Sequence, residues 1–193
     1  VVVVRTDHVL NKPHAGLSLF VVENGTKGFT KGKQLKKMGL HAQDTSELIF
    51  ENCEIAEDQI LGKRGEGFLY LMKNLGVERL GIAIMSLGHA RGAFELTLNY
   101  IKQRQVFGKS VSEFQNTRFK MAEMLADLEV GYAFLKTCVD EHNQKKDITL
   151  MASKAKLWSS EKCQLIIDQC LQFFGGYGYM DEYSISRYYR DCR

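Results

Sequence analysis

The chain has 193 residues, 45% of them hydrophobic and 25% charged, and 26 basic against 23 acidic side chains leave a net charge of +3. This balance excludes disorder, a collagen-like repeat and a concentrated nucleic-acid-binding tract, the one modest basic cluster being residues 31–37. Average usage near ~5% would give about ten prolines. The chain has one, Pro13, so everything after it is free to form long, unbroken helices.

No apolar run approaches the roughly 18 residues that suggest a membrane span. Residues 1–4, all valine, are too short for a signal core and follow no basic region. The chain opens without Met inside what reads as a strand, so it is expected to be a piece of a longer protein with any targeting segment outside it. Its five cysteines form no CxxC pair, and no Cys/His spacing suits zinc. Neither a metal site nor a disulfide framework is expected, and a reducing compartment is.

Up to about Gly62 the pattern has period two or is continuously β-branched. Strands are expected at 1–5, 16–23, 27–35 and 46–55, parted by turn signals at Lys12-Pro13, Asn24-Gly25 and Gly39. Asn24-Gly25 predicts a hairpin, because both residues tolerate positive φ. After the Gly62–Gly65 turn the period becomes 3.6. A helix over about 66–102 would keep Phe68, Met72, Leu75, Leu80, Ile84, Leu87, Phe94, Leu98 and Ile101 on one side. Gly81, Gly88 and Gly92 inside it predict close approach by another helix or a ligand. A second helix is expected over about 112–142 with Ser112 as N-cap. A third should run from about Asp147 to the Gly175-Gly176 stop, and a short fourth should be capped by Asp181. The fold class is α+β: part of an antiparallel β-domain (1–62), followed by an up-down four-helix bundle (63–193).

Three constellations carry chemistry. Glu78, between Val77 and Arg79, sits among Leu75, Leu80, Ile82 and Ile84. An apolar wall would raise its pKa toward that of a general base. A surface glutamate, or one paired with Arg79, is the alternative. Arg104, Phe107, Gly108 and Lys109 close the long helix, and Phe114-Gln115 opens the next. Arg offers a phosphate fork, Phe a flat stacking face and Gln an amide pair, which together form a corner for a phosphate-bearing heterocycle. An interhelical turn with basic residues at a helix C-terminus reads equally well. The third runs from Gln172 through Phe173-Phe174-Gly175-Gly176 to Tyr179. Its glycines expose backbone N–H groups to a phosphate or ring, unless they are only a C-cap.

The three, in order, resemble the acyl-CoA dehydrogenase family: RxxFG at 104–108, then Phe114-Gln115, QxxGGxGY at 172–179 and Tyr189-Arg190-Asp191. The segment from Lys37 to Cys53 is similar to that family's middle β-domain, and Gly65-Glu66-Gly67-Phe68 to its entry into the C-terminal helices. The resemblance covers essentially the whole chain. It implies an FAD-dependent enzyme that removes an α-proton from a fatty acyl-CoA thioester and passes a β-hydride to flavin. By residue matching, Arg104, Phe107 and Gln115 would meet the flavin nucleotide. Gln172, Gly175 and Gly176 would meet its pyrophosphate and adenine, in the cofactor of a neighbouring subunit. The base is carried either after the terminal motif or, in long-chain and isovaleryl types, in an ERL context on the long helix. Glu78-Arg79-Leu80 matches the second arrangement, so Glu78 would be the base, with Val77 and Arg79 beside the substrate. Residues 38–45 look more like the long-chain type. Isovaleryl-type dehydrogenase and a non-catalytic association bundle are the competing readings. Electron-transfer flavoprotein and further copies of the chain, as a homotetramer, are the implied partners, with no nucleic acid and no membrane span. The implied compartment is the mitochondrial matrix in a eukaryote or the cytoplasm in a bacterium.

Overall fold

A computed structural model describes residues 1–9 and 11–193. The described chain divides into two compact units: Val1–Lys37 with His41–Leu75, and Met38–Leu40 with Gly76–Arg193.

In the first unit, β1 (Val2–Arg5) pairs antiparallel with β2 (Leu17–Phe20), Val3 opposite Leu19. β3 (Phe29–Gln34) pairs antiparallel with β4 (Ser46–Phe50), with a register shift between Lys31 and Gln34. All four strands are antiparallel as expected, but shorter than their sequence patterns. The hairpin expectation fails. The Thr26 N–H does bond to the Glu23 carbonyl across Asn24-Gly25, with Gly25 at φ 92°, but this turn joins strands of two different sheets. A turn sequence sets the local bend, whereas pairing is decided by which edges meet across the chain. Among the described hydrophobic residues of this unit, Leu19 alone is buried.

The second unit is a helical bundle. α1 spans Gly67–Gln103, its residues up to Leu75 belonging to the first unit, α2 Gln115–Asn143, α3 Thr149–Phe173 and α4 Ser184–Asp191. A two-residue-stranded hairpin, β5 (Gln105–Val106) with β6 (Lys109–Ser110), lies between α1 and α2. The directions follow from the contacts. Arg79 meets Ser153 and Tyr100 stacks on Phe174, so α1 and α3 run parallel. Leu87 meets Tyr132 while Arg91 meets Glu129, so α2 returns antiparallel to both. This is the up-down order expected of long helices with short connections.

The buried stripe of α2 is Thr117, Met121, Met124, Leu128, Gly131, Leu135 and Cys138, an alternation of three- and four-residue steps that keeps one face inward. On α1 the core face is Leu80, Ala83, Leu87, Ala90, Ala93, Phe94, Thr97 and Ile101. Phe68, Met72 and Ile84, expected on that face, are exposed, while Ala83, Ala90 and Ala93 take core positions beside Leu80, Leu87, Phe94 and Ile101. Small side chains let helix axes approach. Gly131 shows the limit, since a Cβ there would lie 2.7 Å from both Leu87 and Trp158. Of the α1 glycines at 81, 88 and 92, Gly92 is pressed by the Tyr188 hydroxyl, while Gly81 and Gly88 face open space.

Two caps also differ from expectation. Ser110, not Ser112, carries the cap: its hydroxyl accepts from the Ser112 N–H and Glu113 accepts from the Ser110 N–H, a capping box one short turn ahead of α2. Asp181 does not cap α4 but accepts from Arg190 at 2.6 Å. Asp147 does serve the start of α3, accepting from the Thr149 N–H at 2.9 Å.

Candidate functional site

α1, the β5–β6 hairpin and the end of α3 meet around a cleft of about 500 Å³, lined by Tyr100, Arg104, Gln172, Phe174, Gly175, Gly176 and Tyr177 among others. Arg104 is the residue at which α1 stops. Its N–H still bonds to the Tyr100 carbonyl, and its own carbonyl accepts from Val111 across the hairpin, so the backbone is held from both sides. The buried Ser110 hydroxyl locks the same corner by donating to the Ile101 carbonyl at 2.9 Å. On the facing side, α3 ends at Phe173 and the chain tightens into a 3₁₀ turn over Gly175–Tyr179. A Cβ at Gly175 or Gly176 would meet nothing within 4 Å, so this backbone is open to whatever enters the cleft.

An aromatic wall backs the cleft. Tyr100 stacks on Phe174 with ring centres 4.1 Å apart, and Tyr183 meets both rings edge-on. Burial in this cluster pushes the Tyr100 phenol up, against a smaller opposing effect of Arg104. Arg104 itself makes no ion pair with a carboxylate among the described residues, and its guanidinium carbon sits 5.7 Å from the Tyr177 ring centre. A cation without a counter-charge, beside uncrowded glycine backbone and flat rings, suits a ligand that combines phosphate with a planar ring system.

Two predicted residues stand outside this lining. Phe107 is 95% exposed at the hairpin tip, with its φ at 51° and that of Gly108 at 81°. Both angles positive give the turn whose twist matches a two-residue hairpin. A bulky residue in that region is strained, so the tip presents its ring at a conformational cost. Gln115, the first residue of α2, is exposed and outside the cleft.

The Glu78 end of α1 looks different. Glu78 is exposed, and no ion pair engages it among the described residues. The expected apolar wall does not cover it. Leu80 turns into the bundle core, while Val77, Ile82 and Ile84 are exposed, Val77 at 48%. Leu75 and Ile82, three positions before and four after, share the face of Glu78 and leave it open to solvent. Arg79 does not pair with Glu78 either. Its guanidinium donates to the Ser153 hydroxyl at 2.9 Å, and that hydroxyl donates to the Thr149 carbonyl at 2.6 Å. Twenty-six helical steps separate Glu78 from Arg104, roughly 39 Å at the helical rise.

Residues 65–193 match the family described as acyl-CoA dehydrogenase, C-terminal domain. The chain belongs to the acyl-CoA dehydrogenase family. All 193 residues are 44% identical to the mitochondrial long-chain specific acyl-CoA dehydrogenase of Rattus norvegicus, covering 45% of that protein. The crystal structure of an acyl-CoA dehydrogenase from Geobacillus kaustophilus superposes on the whole chain with a TM-score of 0.98 at 46% identity, over 50% of its own length. An acyl-CoA dehydrogenase from Bacillus anthracis, solved in complex with FAD, superposes on 92% of the chain at a TM-score of 0.83 and 28% identity, over 34% of its length. The chain thus spans about half the length of the long-chain relative it matches.

Within this family fold, the terminal Tyr-Arg-Asp motif is structural. Asp191 accepts from the Leu40 N–H at 2.7 Å and Arg190 is taken by Asp181. Sequence reading gave Tyr177 no role of its own within the 172–179 motif, and it missed Tyr100 and Ser153. Tyr100 occurs among many aromatics with no motif of its own. Ser153 is visible only once α1 and α3 are known to run side by side.

Proposed function

We propose that the protein of which this chain is part is an FAD-dependent acyl-CoA dehydrogenase acting on long-chain fatty acyl-CoA thioesters. The observation that carries the reading is the meeting of Arg104, Gln172, Gly175 and Gly176, from two helix ends far apart in sequence, on one cleft with an unpaired cation. These groups fit a flavin nucleotide: Arg104 for phosphate charge, Gln172 for polar edges, and the open backbone at Gly175 and Gly176 for close approach. Phe107 and Gln115, exposed on the same corner, would contact the same nucleotide from outside the cleft.

Glu78 is the proposed base for the α-proton of the thioester, with Val77 and Arg79 beside the substrate. Flavin, when bound, supplies the acceptor for the β-hydride. Ser153 draws the Arg79 guanidinium onto α3, which leaves the Glu78 carboxylate without an internal counter-ion. Since Glu78 and the Arg104 cleft lie roughly 39 Å apart, one chain's cleft does not serve its own Glu78. A flavin beside Glu78 needs the cleft of another copy, and this supports a homo-oligomer, a tetramer by family resemblance. Exposed Val130, Leu150, Leu157 and Leu165 on α2 and α3 offer the apolar surface such assembly needs. Electron-transfer flavoprotein is the proposed electron acceptor. The compartment would be the mitochondrial matrix in a eukaryotic source and the cytoplasm in a bacterial one. The functional boundary is placed at 62/63, with residues 1–62 closing a β-domain and 63–193 forming the helical domain.

The full-length protein should purify with a flavin spectrum that acyl-CoA bleaches anaerobically, fastest in the long-chain members of a series that includes isovaleryl-CoA. A colourless protein that cannot be reconstituted with FAD would sink the reading. A preference for isovaleryl-CoA would replace the long-chain assignment.

A further inference from the structure

Arg104 is exposed, has no carboxylate partner among the described residues and sits on a long, flexible side chain. Left to itself it would sample many rotamers, and a ligand would have to order it at an entropic cost. One contact restricts it, the Tyr177 ring, whose centre is 5.7 Å from the guanidinium carbon. That ring is itself fixed. It stacks on Tyr183 with centres 5.0 Å apart and planes 22° from parallel, and Tyr183 stands edge-on to Tyr100 and Phe174. The Tyr177 N–H bonds to the Phe174 carbonyl, which holds the residue at the end of α3. A chain of rings therefore runs from the buried end of the bundle to the one cation in the cleft lining.

We propose that Tyr177 is a positioning residue: its ring face holds the Arg104 guanidinium at the mouth of the cleft, in place for a phosphate group. The inference rests on the reading of the cleft as a flavin-nucleotide site. A cation held over a ring keeps its N–H groups free along its edge, so the contact orders Arg104 without using the donors a phosphate needs. A carboxylate in the same role would neutralise the charge and occupy the fork.

The test uses full-length protein stripped of flavin, with FAD affinity read by flavin fluorescence. Tyr177→Leu should weaken binding about threefold to fivefold, the range expected of an exposed cation–ring contact. Tyr177→Phe and Tyr177→Trp, which keep the ring, should restore it. In an Arg104→Ala background, Tyr177→Leu should have no further effect. An equal loss in both backgrounds, or a Tyr177→Phe as weak as Tyr177→Leu, would overturn the proposal. Crystal structures of the flavin-free variants give an independent readout: the guanidinium should stay over the ring in Tyr177→Phe and lose its fixed position in Tyr177→Leu. An unchanged guanidinium in Tyr177→Leu overturns the proposal whether or not FAD binds. Failure of the wild-type protein to take up FAD would instead remove the flavin reading, and the apoprotein structures would still decide the role of Tyr177.

Discussion

The two ends of α1 carry the two halves of the proposed chemistry, yet they are built in different ways. At the Arg104 end, residues from α1, the hairpin and the end of α3 converge on one cleft with its own aromatic backing. At the Glu78 end the carboxylate stands exposed, its apolar neighbours point outward, and only Arg79 is tied down, by Ser153. The difference teaches that the proposed cofactor corner draws its lining from three elements of the described residues, whereas the proposed base draws no cover from them.

The largest expected effect lies at the open end. In the full-length protein, Glu78→Gln should slow flavin reduction by acyl-CoA by on the order of a thousandfold while leaving FAD affinity unchanged. Stopped-flow bleaching checks this, and a variant as fast as wild type would move the base elsewhere. At the closed end, Arg104→Ala should raise the FAD Kd by about 10- to 100-fold, the worth of a charge-assisted phosphate contact. Titration of apoprotein would show it, and an unchanged Kd would break the contrast between the ends. Between them, Leu128 is fully buried in the α2 stripe. Leu128→Ala should cost about 3 kcal/mol by denaturant unfolding, and both ends should lose structure in a single transition because they share that core.

The smallest effect is local to the Glu78 end. The Asp147 carboxyl is held below its ordinary value of 3.8 by hydrogen bonding to Thr149, the residue whose carbonyl anchors Ser153 and through it Arg79. A depressed carboxylate stabilises the fold above its unfolded pKa, and that contribution disappears as pH falls through the folded value. Asp147→Ala should therefore lower Tm slightly near neutrality, and its gap from wild type should close below pH 3.8. A gap that persists in acid would mean the side chain acts by packing and not by its charge.

Much of the cleft was legible in the sequence, because Arg104, Gln172, Gly175 and Gly176 lie at helix ends, where side-chain type reports local geometry directly. The Glu78 surroundings were misread for the opposite reason. Apolar residues around it in sequence suggested a dry wall, but Leu80 turns inward and Val77, Ile82 and Ile84 lie exposed without covering the carboxylate. Ile84 and Phe68 were likewise misplaced on the core face. Ser112 was taken for a cap that Ser110 supplies, a shift of half a turn that depends on how the hairpin ends.

By itself the sequence determined the antiparallel strands, the long proline-free helices and the residues at their ends, since all of these follow from local periodicity and turn chemistry. Tertiary structure alone decided which strands pair, that Ala83, Ala90 and Ala93 join the α1 core face, that Arg79 turns to Ser153, and that Tyr177 stands beside Arg104. Each of these joins positions tens of residues apart. Their contact energy depends on how helices and strands dock, and no local pattern encodes that.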